Sequence, residues 1–455
     1  MKLPNVILVF ADQWRAQATG YAGDPNVKTP NLDSLAGESI NFTHAVAGCP
    51  VCSPYRASLI TGQFPLTHGV FVNDVYLKHD AISLADAYAE AGYDTAYIGK
   101  WHLDGHGRSN YIPPERRQGF DYWKVLECTH NYNHSPYYAG NSNQKLYWEG
   151  YDAIAQTRDA QNYIREHDEK KPFLLVLSWG PPHNPYDTAP EKYKAMYSPE
   201  NICLRPNVPD ENAPKAKEDL AGYYAHCTAL DACIGDLLHT IREEGIEDDT
   251  ILVFTSDHGD MLGSQGEQRK QRPWDEAIRV PFLLRYPAIF GSQARELDAL
   301  IDAPDILPTL LGLCGLAIPE AVEGLDFSSY MQAENPDHIG GGEDPSDGAA
   351  VIMCPHPFGE WARRQYGREY RGLRTRRYTY VRTLEGPWLL YDNREDPYQL
   401  NNLIDNPIYS QLQDKLDAWL QRKLEAMGDE FLPGMDYIRK WNYPVNETGT
   451  VPYIQ

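Results

Sequence analysis

The chain has 455 residues, 42% hydrophobic and 12% aromatic, so it can bury a core large enough for one big domain and a smaller one. Its 41 basic residues face 64 acidic ones, a net charge of −23, which argues against a general nucleic-acid binder and makes any anionic substrate depend on a local basic pocket. Eight cysteines scattered through so long a chain exclude a small disulfide scaffold.

The chain opens MKLPNVILVFADQWR, whose apolar run Val6–Ala11 is too short for a signal-peptide core and stops at Asp12. No stretch approaches a membrane span. The sequence as it stands predicts a cytoplasmic protein with no membrane partner, or a periplasmic or secreted one if a leader was removed. Asn5–Phe10 reads as a buried parallel strand. Pro54 suits the first turn of a helix running to about Thr61, which puts residue 52 at a helix N-terminus, where backbone N–H groups favour an anion. Ser83–Ala91 reads as a helix and Asp94–Ile98 as a strand ending at Lys100. Asp152–Glu166 is a predicted helix, and Phe173–Ser178 a strand followed by a Pro/His loop. Lys217–Glu244 is a long helix closed by Gly245, and Thr250–Phe254 a strand ending at Ser256, Asp257 and His258. Ala333–Gly348, rich in Gly, Pro and acids, reads as a linker or exposed loop. Short strands at Tyr378–Arg382 and Trp388–Tyr391 and a helix near Tyr409–Met427 follow.

This alternation predicts an α/β fold: a large mixed, mostly parallel sheet sandwiched by helices over 1–349, with a smaller C-terminal α+β domain and a small antiparallel sheet over 350–455. Ligands of such sheets sit at the carboxyl ends of the strands. Asp12, Lys100, His102, His183, Asp257 and His258 all follow predicted strands, so the fold should gather them on one rim.

The most specific motif is Cys52-Ser53-Pro54-Tyr55-Arg56, continued by Thr61-Gly62. It resembles the sulfatase signature, in which an activating enzyme converts the cysteine to formylglycine. The resemblance extends through Asp12-Gln13, Gly99-Lys100-Trp101-His102, Pro182-His183, Ser256-Asp257-His258-Gly259, and Lys270 ahead of Trp274-Asp275-Glu276. It implies an alkaline-phosphatase-like fold and a sulfuric ester hydrolase. By resemblance the metal ligands are Asp12, Gln13, Cys52 as formylglycine, Asp257 and His258, and the catalytic residues are Cys52, Arg56, Lys100, His102, His183 and Lys270. Gln13 and His258 depart from the Asp and Asn many members carry. The oxygen-rich set implies one divalent ion, Ca²⁺ first, then Mg²⁺ or Mn²⁺, with the imidazole shifting some weight to a transition ion. The pair Cys49 and Cys52 is also spaced C-x-x-C, a weak redox or zinc signal because no second pair follows.

The segment His130-Asn131-Tyr132-Asn133-His134 is an aromatic, polar loop suited to sugar contacts. A second cluster, Trp361, Arg363, Arg364 and the arginines up to Arg382, would either supply a basic pocket or pair with carboxylates between the two domains. His130, His134, Trp361, Arg363 and Arg364 are therefore the candidate substrate contacts. The expected partners are a sulfated sugar or oligosaccharide and a formylglycine-generating enzyme, with self-association left open. Two alternatives stand beside this reading. Phosphonate monoester and phosphodiester hydrolases of the same fold also use formylglycine and are similar in pairing Asp-Gln with Asp-His. A non-catalytic sulfated-glycan-binding protein would keep the fold and leave Cys52 a thiol.

Overall fold

The computed structural model describes residues 3–78, 81–168, 170–333 and 343–453; most of the predicted Ala333–Gly348 linker lies outside them. Ten strands form the main sheet: β1 (Asn5–Asp12), β2 (Ile40–Phe42), β3 (Asp94–Lys100), β4 (Tyr122–Leu126), β5 (Pro136–Ala139), β6 (Leu146–Tyr147), β7 (Phe173–Pro182), β8 (Thr250–Ser256), β9 (Phe282–Arg285) and β10 (Arg295–Leu297). Their spatial order is β10-β2-β9-β8-β1-β7-β3-β4-β5-β6. The centre, β8-β1-β7-β3-β4, is parallel, and β9, β5 and β6 add antiparallel pairs.

Strand β1 sits in the middle, with Val6 opposite both Leu174 of β7 and Ile251 of β8. Side chains alternate across a strand, so Val6, Leu8 and Phe10 enter one core and Ile7, Val9 and Ala11 the other. That is why β1 is apolar at nearly every position rather than at alternate ones. Helices Cys52–Thr61, Leu84–Glu90 and Ala303–Cys314 cover the first face through Leu59, Tyr88 and Leu307. Helices Pro30–Ala36, Asp152–Glu166 and Ala213–Glu243 cover the second through Leu35, Ile164 and Ile234. Each fully buried aliphatic side chain contributes about 1.5–3 kcal/mol, and truncating Leu8 to Ala would cost about 2–5 kcal/mol.

One glycine at the rim is dictated by close approach. Gly99, at φ 109°, lies against β7 so tightly that a Cβ would fall 1.9 Å from the Ser178 carbonyl oxygen. It lets β3 pair with β7 up to Gly99 itself, opposite Ser178, with Lys100 next at the rim.

Four further strands, β11 (Ala349–Cys354), β12 (Tyr370–Thr375), β13 (Tyr378–Thr383) and β14 (Gly386–Asp392), form an antiparallel sheet in sequence order. Two of them match the predicted strands, and the predicted final helix is Ser410–Ala426. One face of this sheet, through Leu373, Tyr380 and Leu390, joins the core beneath the main sheet together with Leu416, Leu420 and Leu424. The other face, through Tyr370, Val381 and Leu389, closes around Val46, Ile278, Leu300 and Trp361. Among the described residues no helix is long and apolar enough to cross a membrane.

Candidate active site

The parallel strands deliver their C-terminal residues to one place. β1 ends at Asp12 and β3 at Lys100, β7 leads into His183, and β8 leads into Asp257 and His258. The helix Cys52–Thr61 points its N-terminus at this rim: Val51 is its extended N-cap and Cys52 its first residue, 1% exposed. Cys52 Sγ lies 3.2 Å from His258 Nε2, 3.4 Å from Lys270 Nζ and 3.8 Å from Asp12 Oδ1. Burial and the Asp12 carboxylate push the Cys52 thiol up, but Lys100, Lys270 and His258 overcome them and hold it well below its ordinary value.

Asp12, Cys52, Asp257 and His258 place four donor atoms within 4.8 Å of one another, all buried. His258 Nδ1 donates to the Gly259 carbonyl at 2.9 Å and its Nε2 faces the two carboxylates, 3.5 Å from Asp257 Oδ1 and 3.7 Å from Asp12 Oδ1; against its burial, Asp257 and Cys52 push the imidazole up, and a bound cation would take the place of the Nε2 proton. Burial and the neighbouring Asp12 push the Asp257 carboxyl up to about 6. Two crowded carboxylates, an imidazole lone pair and residue 52 fit a divalent cation, which would relieve the repulsion that raises Asp257. Gln13 stands beside them at φ 74°. Its backbone N–H donates to Asp257 Oδ1 at 3.0 Å and its Nε2 to Asp260 Oδ2 at 2.6 Å. Asp260 thereby fixes which end of the amide is oxygen, and Oε1 faces the site, 3.1 Å from Lys270 Nζ.

Arg56 ties the two acids together. Its Nε donates to Asp257 Oδ2 and its Nη2 to Asp12 Oδ2, both at 3.1 Å, while Nη1 reaches the Lys100 carbonyl and Ser178 Oγ. Lys100 Nζ reaches Asp12 Oδ2 at 2.5 Å. Although burial opposes it, these cations hold Asp12 well below the usual carboxylate range. Lys270 Nζ sits 2.6 Å from His183 Nε2. Burial and the Lys270 charge keep His183 neutral, and its Nδ1 donates to the Asn184 carbonyl, so Nε2 is the acceptor. His130 stacks on His183 with centroids 4.6 Å apart.

His102 holds Asp74 Oδ1 through Nε2 at 3.0 Å, and its buried Nδ1 has no hydrogen-bond partner among the described residues. Burial works against the imidazolium, but Cys128 and Asp74 push His102 up to about 10. The Cys128 thiol is drawn down to about 5 against its burial by Lys100, His102 and His130. Gln13, Asp74, His102, Arg269 and Gln271 are all non-glycine residues at positive φ, a clustering of local strain around this pocket.

The resulting cavity of about 280 Å³ is lined by Cys52, Asp74, Lys100, His102, Arg108, Cys128, His130, His183, Lys270 and Glu360, among others. Of the candidate substrate contacts, only His130 belongs to it. His134 stacks on Tyr147, 4.3 Å away. Trp361 is buried beneath the Arg272 guanidinium, Arg363 is engaged by Glu369, and Arg364 is exposed. Most other arginines of that cluster pair with carboxylates, Arg371 with Asp429, Arg374 with Asp275, Arg377 with Asp392 and Arg382 with Asp417, while Arg368 lies over the Trp388 ring. Cys49 is unpaired, and burial pushes its thiol up to about 12, unlike Cys52 three residues on. Asp74, Cys128, Asp260 and Glu360 escaped the sequence reading. Only Asp260, three residues after Asp257, carried a local signal.

The chain is similar to several known proteins. A sequence model of the Sulfatase family matches residues 4–316, and one described as N-sulphoglucosamine sulphohydrolase, C-terminal, matches 263–426. The chain is 47% identical over 454 residues to an ulvan-active sulfatase of Formosa agariphila, covering 99% of this chain and 87% of the relative. It is similar to a solved structure from work on glycosaminoglycan metabolism by Bacteroides thetaiotaomicron, with a TM-score of 0.84 at 30% identity over 97% of this chain and 99% of that one. The phosphonate monoester hydrolase of Agrobacterium radiobacter shares the fold, with a TM-score of 0.77 at 23% identity over 99% of both chains.

Proposed function

The chain belongs to the sulfatase family of sulfuric ester hydrolases, and from that premise we propose that it removes sulfate from a carbohydrate ester, using a formylglycine made from Cys52 and one divalent ion. The observation that carries this reading is the position of Cys52 at a helix N-terminus, against Asp12, Asp257 and His258 on one side and Lys270 on the other. The carbohydrate leaving group rests on the relative named as ulvan-active.

A divalent ion held by Asp12, Gln13, Asp257, His258 and residue 52, calcium in first place, would fix positive charge beside a sulfuryl oxygen and lower the pKa of the nucleophile. Hydrated formylglycine brings two hydroxyls to one carbon, one for attack and one for release. Lys100 and Lys270 would set two ammonium groups against the remaining sulfuryl oxygens, and such preorganised charge is usually the largest catalytic contribution. Lys270 also holds a proton against His183 Nε2, so this pair can deliver it to the departing sugar oxygen. His102, held at Nε2 by Asp74, leaves Nδ1 for proton exchange with the second hydroxyl, as the acceptor only once the ring has given up its own proton. Arg56 keeps Asp12 and Asp257 together and acts as a positioning residue.

The donor set of Asp-Gln with Asp-His favours a second reading, a phosphonate monoester or phosphodiester hydrolase. The test is to co-express the chain with a formylglycine-generating enzyme and weigh the peptide that contains residue 52. Sulfate and phosphonate esters of one leaving group are then compared, and bound metal is measured by elemental analysis. We expect an aldehyde, about one divalent ion per chain and faster sulfate release. A persistent thiol, under conditions that convert a control sulfatase, would sink the nucleophile assignment. Faster phosphonate cleavage would hand the site to the second reading.

A further inference from the structure

We propose that Arg108 is a specificity-determining residue that binds a second anionic group on the leaving sugar, so that the preferred substrate carries a further negative charge close to the scissile sulfate. This rests on the sulfatase reading above and refines its substrate class.

Lys100 and Lys270 in the cavity, and Arg56 behind it, are already engaged at the sulfate end. Arg56 is fully buried between Asp12 and Asp257, Lys100 is on Asp12, and Lys270 faces Cys52, Gln13 and His183. Arg108 lines the same cavity, yet its side chain is 47% exposed. Its nearest carboxylate, Asp74, is 3.8 Å away, at the limit of an ion pair, and the other oxygen of Asp74 is taken by His102 at 3.0 Å. Among the described residues the Arg108 guanidinium has no hydrogen-bond acceptor.

The guanidinium is nonetheless held in place. It lies over the Tyr453 ring, 5.8 Å from the centroid, a contact that uses its face and leaves its N–H fork free. The backbone carbonyl of Arg108 accepts from the N–H of Cys128, which anchors its loop to the segment leading to His130. Burial lowers its charge affinity, but Cys128, Tyr453 and Asp74 more than compensate, so it stays cationic. The other acid of the cavity, Glu360, favours the charged forms of Lys270, Arg269 and Arg272. A planar donor fork with no acceptor, fixed at the mouth of an anion pocket in a chain of net charge −23, matches the bidentate geometry of a carboxylate or sulfate. A neutral leaving sugar would leave that fork unused.

The shared chemistry is a second oxyanion, and its source is either the carboxylate of a uronic acid or another sulfate. The test compares kcat/KM for three substrates: a neutral monosulfated disaccharide, a monosulfated disaccharide containing a uronic acid, and a disulfated disaccharide without one. Wild type should prefer one or both charged substrates. Arg108→Ala should reduce that preference about 10- to 100-fold, as expected for one charge-assisted interaction. Arg108→Lys should restore part of it, because a point charge lacks the fork. The arm that responds identifies the source. A wild-type preference for the neutral sugar, or a preference that Arg108→Ala does not move, overturns the inference. Absence of sulfate release from all three substrates, and from an aryl sulfate run as a control, would instead count against the sulfatase reading itself.

Discussion

Two buried aspartates, Asp257 at the catalytic rim and Asp275 beneath the C-terminal sheet, are each held by an arginine and behave in opposite ways. Asp275 receives two donors from Arg374, at 2.8 and 2.9 Å, has Arg279 at 3.6 Å, and is drawn down to about 2 despite its burial. Asp257 must share Arg56 with Asp12 and is pushed up to about 6 by burial and by that neighbour. The structural pair is closed, with cations to spare for one carboxylate. At the rim one guanidinium serves two crowded carboxylates, so buried Asp257 has less cationic support than Asp275, and a bound cation would add to it. Buried ion pairs alone therefore do not mark the site; an unbalanced cluster does.

The largest effect that tests this contrast is loss of the nucleophile. Cys52→Ala should lower sulfate release by about 10⁴-fold or more. Its thermal unfolding should change little, because residue 52 closes no structural pair. Arg56→Ala should damage both properties: activity should fall about 100-fold or more and stability by about 3–5 kcal/mol, since two buried carboxylates lose their partner. Arg374→Ala should cost a similar 3–5 kcal/mol, read by urea unfolding, while kcat per folded molecule stays within a few fold. Equal activity losses in these two variants would erase the distinction between rim and sheet. Chelation should lower Tm and addition of the ion restore it, and the shift should vanish in Asp257→Ala. A Tm indifferent to metal in the wild type would mean that the rim does not need a cation.

The smallest effect concerns a histidine outside the rim. His68 accepts from Val70 N–H at Nδ1 and lies 3.0 Å from Ser58 Oγ through Nε2, and burial lowers it from 6.5 to about 3. A folded value below the unfolded one means that its contribution is complete above pH 6.5 and is lost as pH falls from there toward 3. One such group gives a slope of about 1.4 kcal/mol per pH unit. Urea midpoints between pH 7 and 4.5 should fall less steeply for His68→Gln than for wild type, and parallel curves would remove His68 from the account.

Much of the fold was legible because period and punctuation agree. Asn5–Asp12 is apolar throughout, as a strand covered on both faces must be, and the Asp152–Glu166 helix matched its predicted bounds. Strand β11, AAVIMC, follows the predicted linker and was missed because a short apolar run has no diagnostic period. At the site, Cys52, Arg56, Lys100 and His183 were legible through motifs on strand ends and a helix start. Asp74 and Cys128 lie in loops with no pattern of their own. The arginine run from Arg363 to Arg382 left both of its readings open for a related reason, since a row of charges carries no record of its partners.

By itself the sequence determined which residue types stand at the ends of the central strands, and the order in which strands and helices alternate. These follow from local hydrophobic periodicity and from motif spacing. The tertiary structure alone decided that Asp260 orients the Gln13 amide across 247 residues, that Arg374 is spent on Asp275, and that Arg108 keeps its donors free. Which charge meets which is set by the packing of distant segments, and a buried charge takes whatever partner that packing supplies.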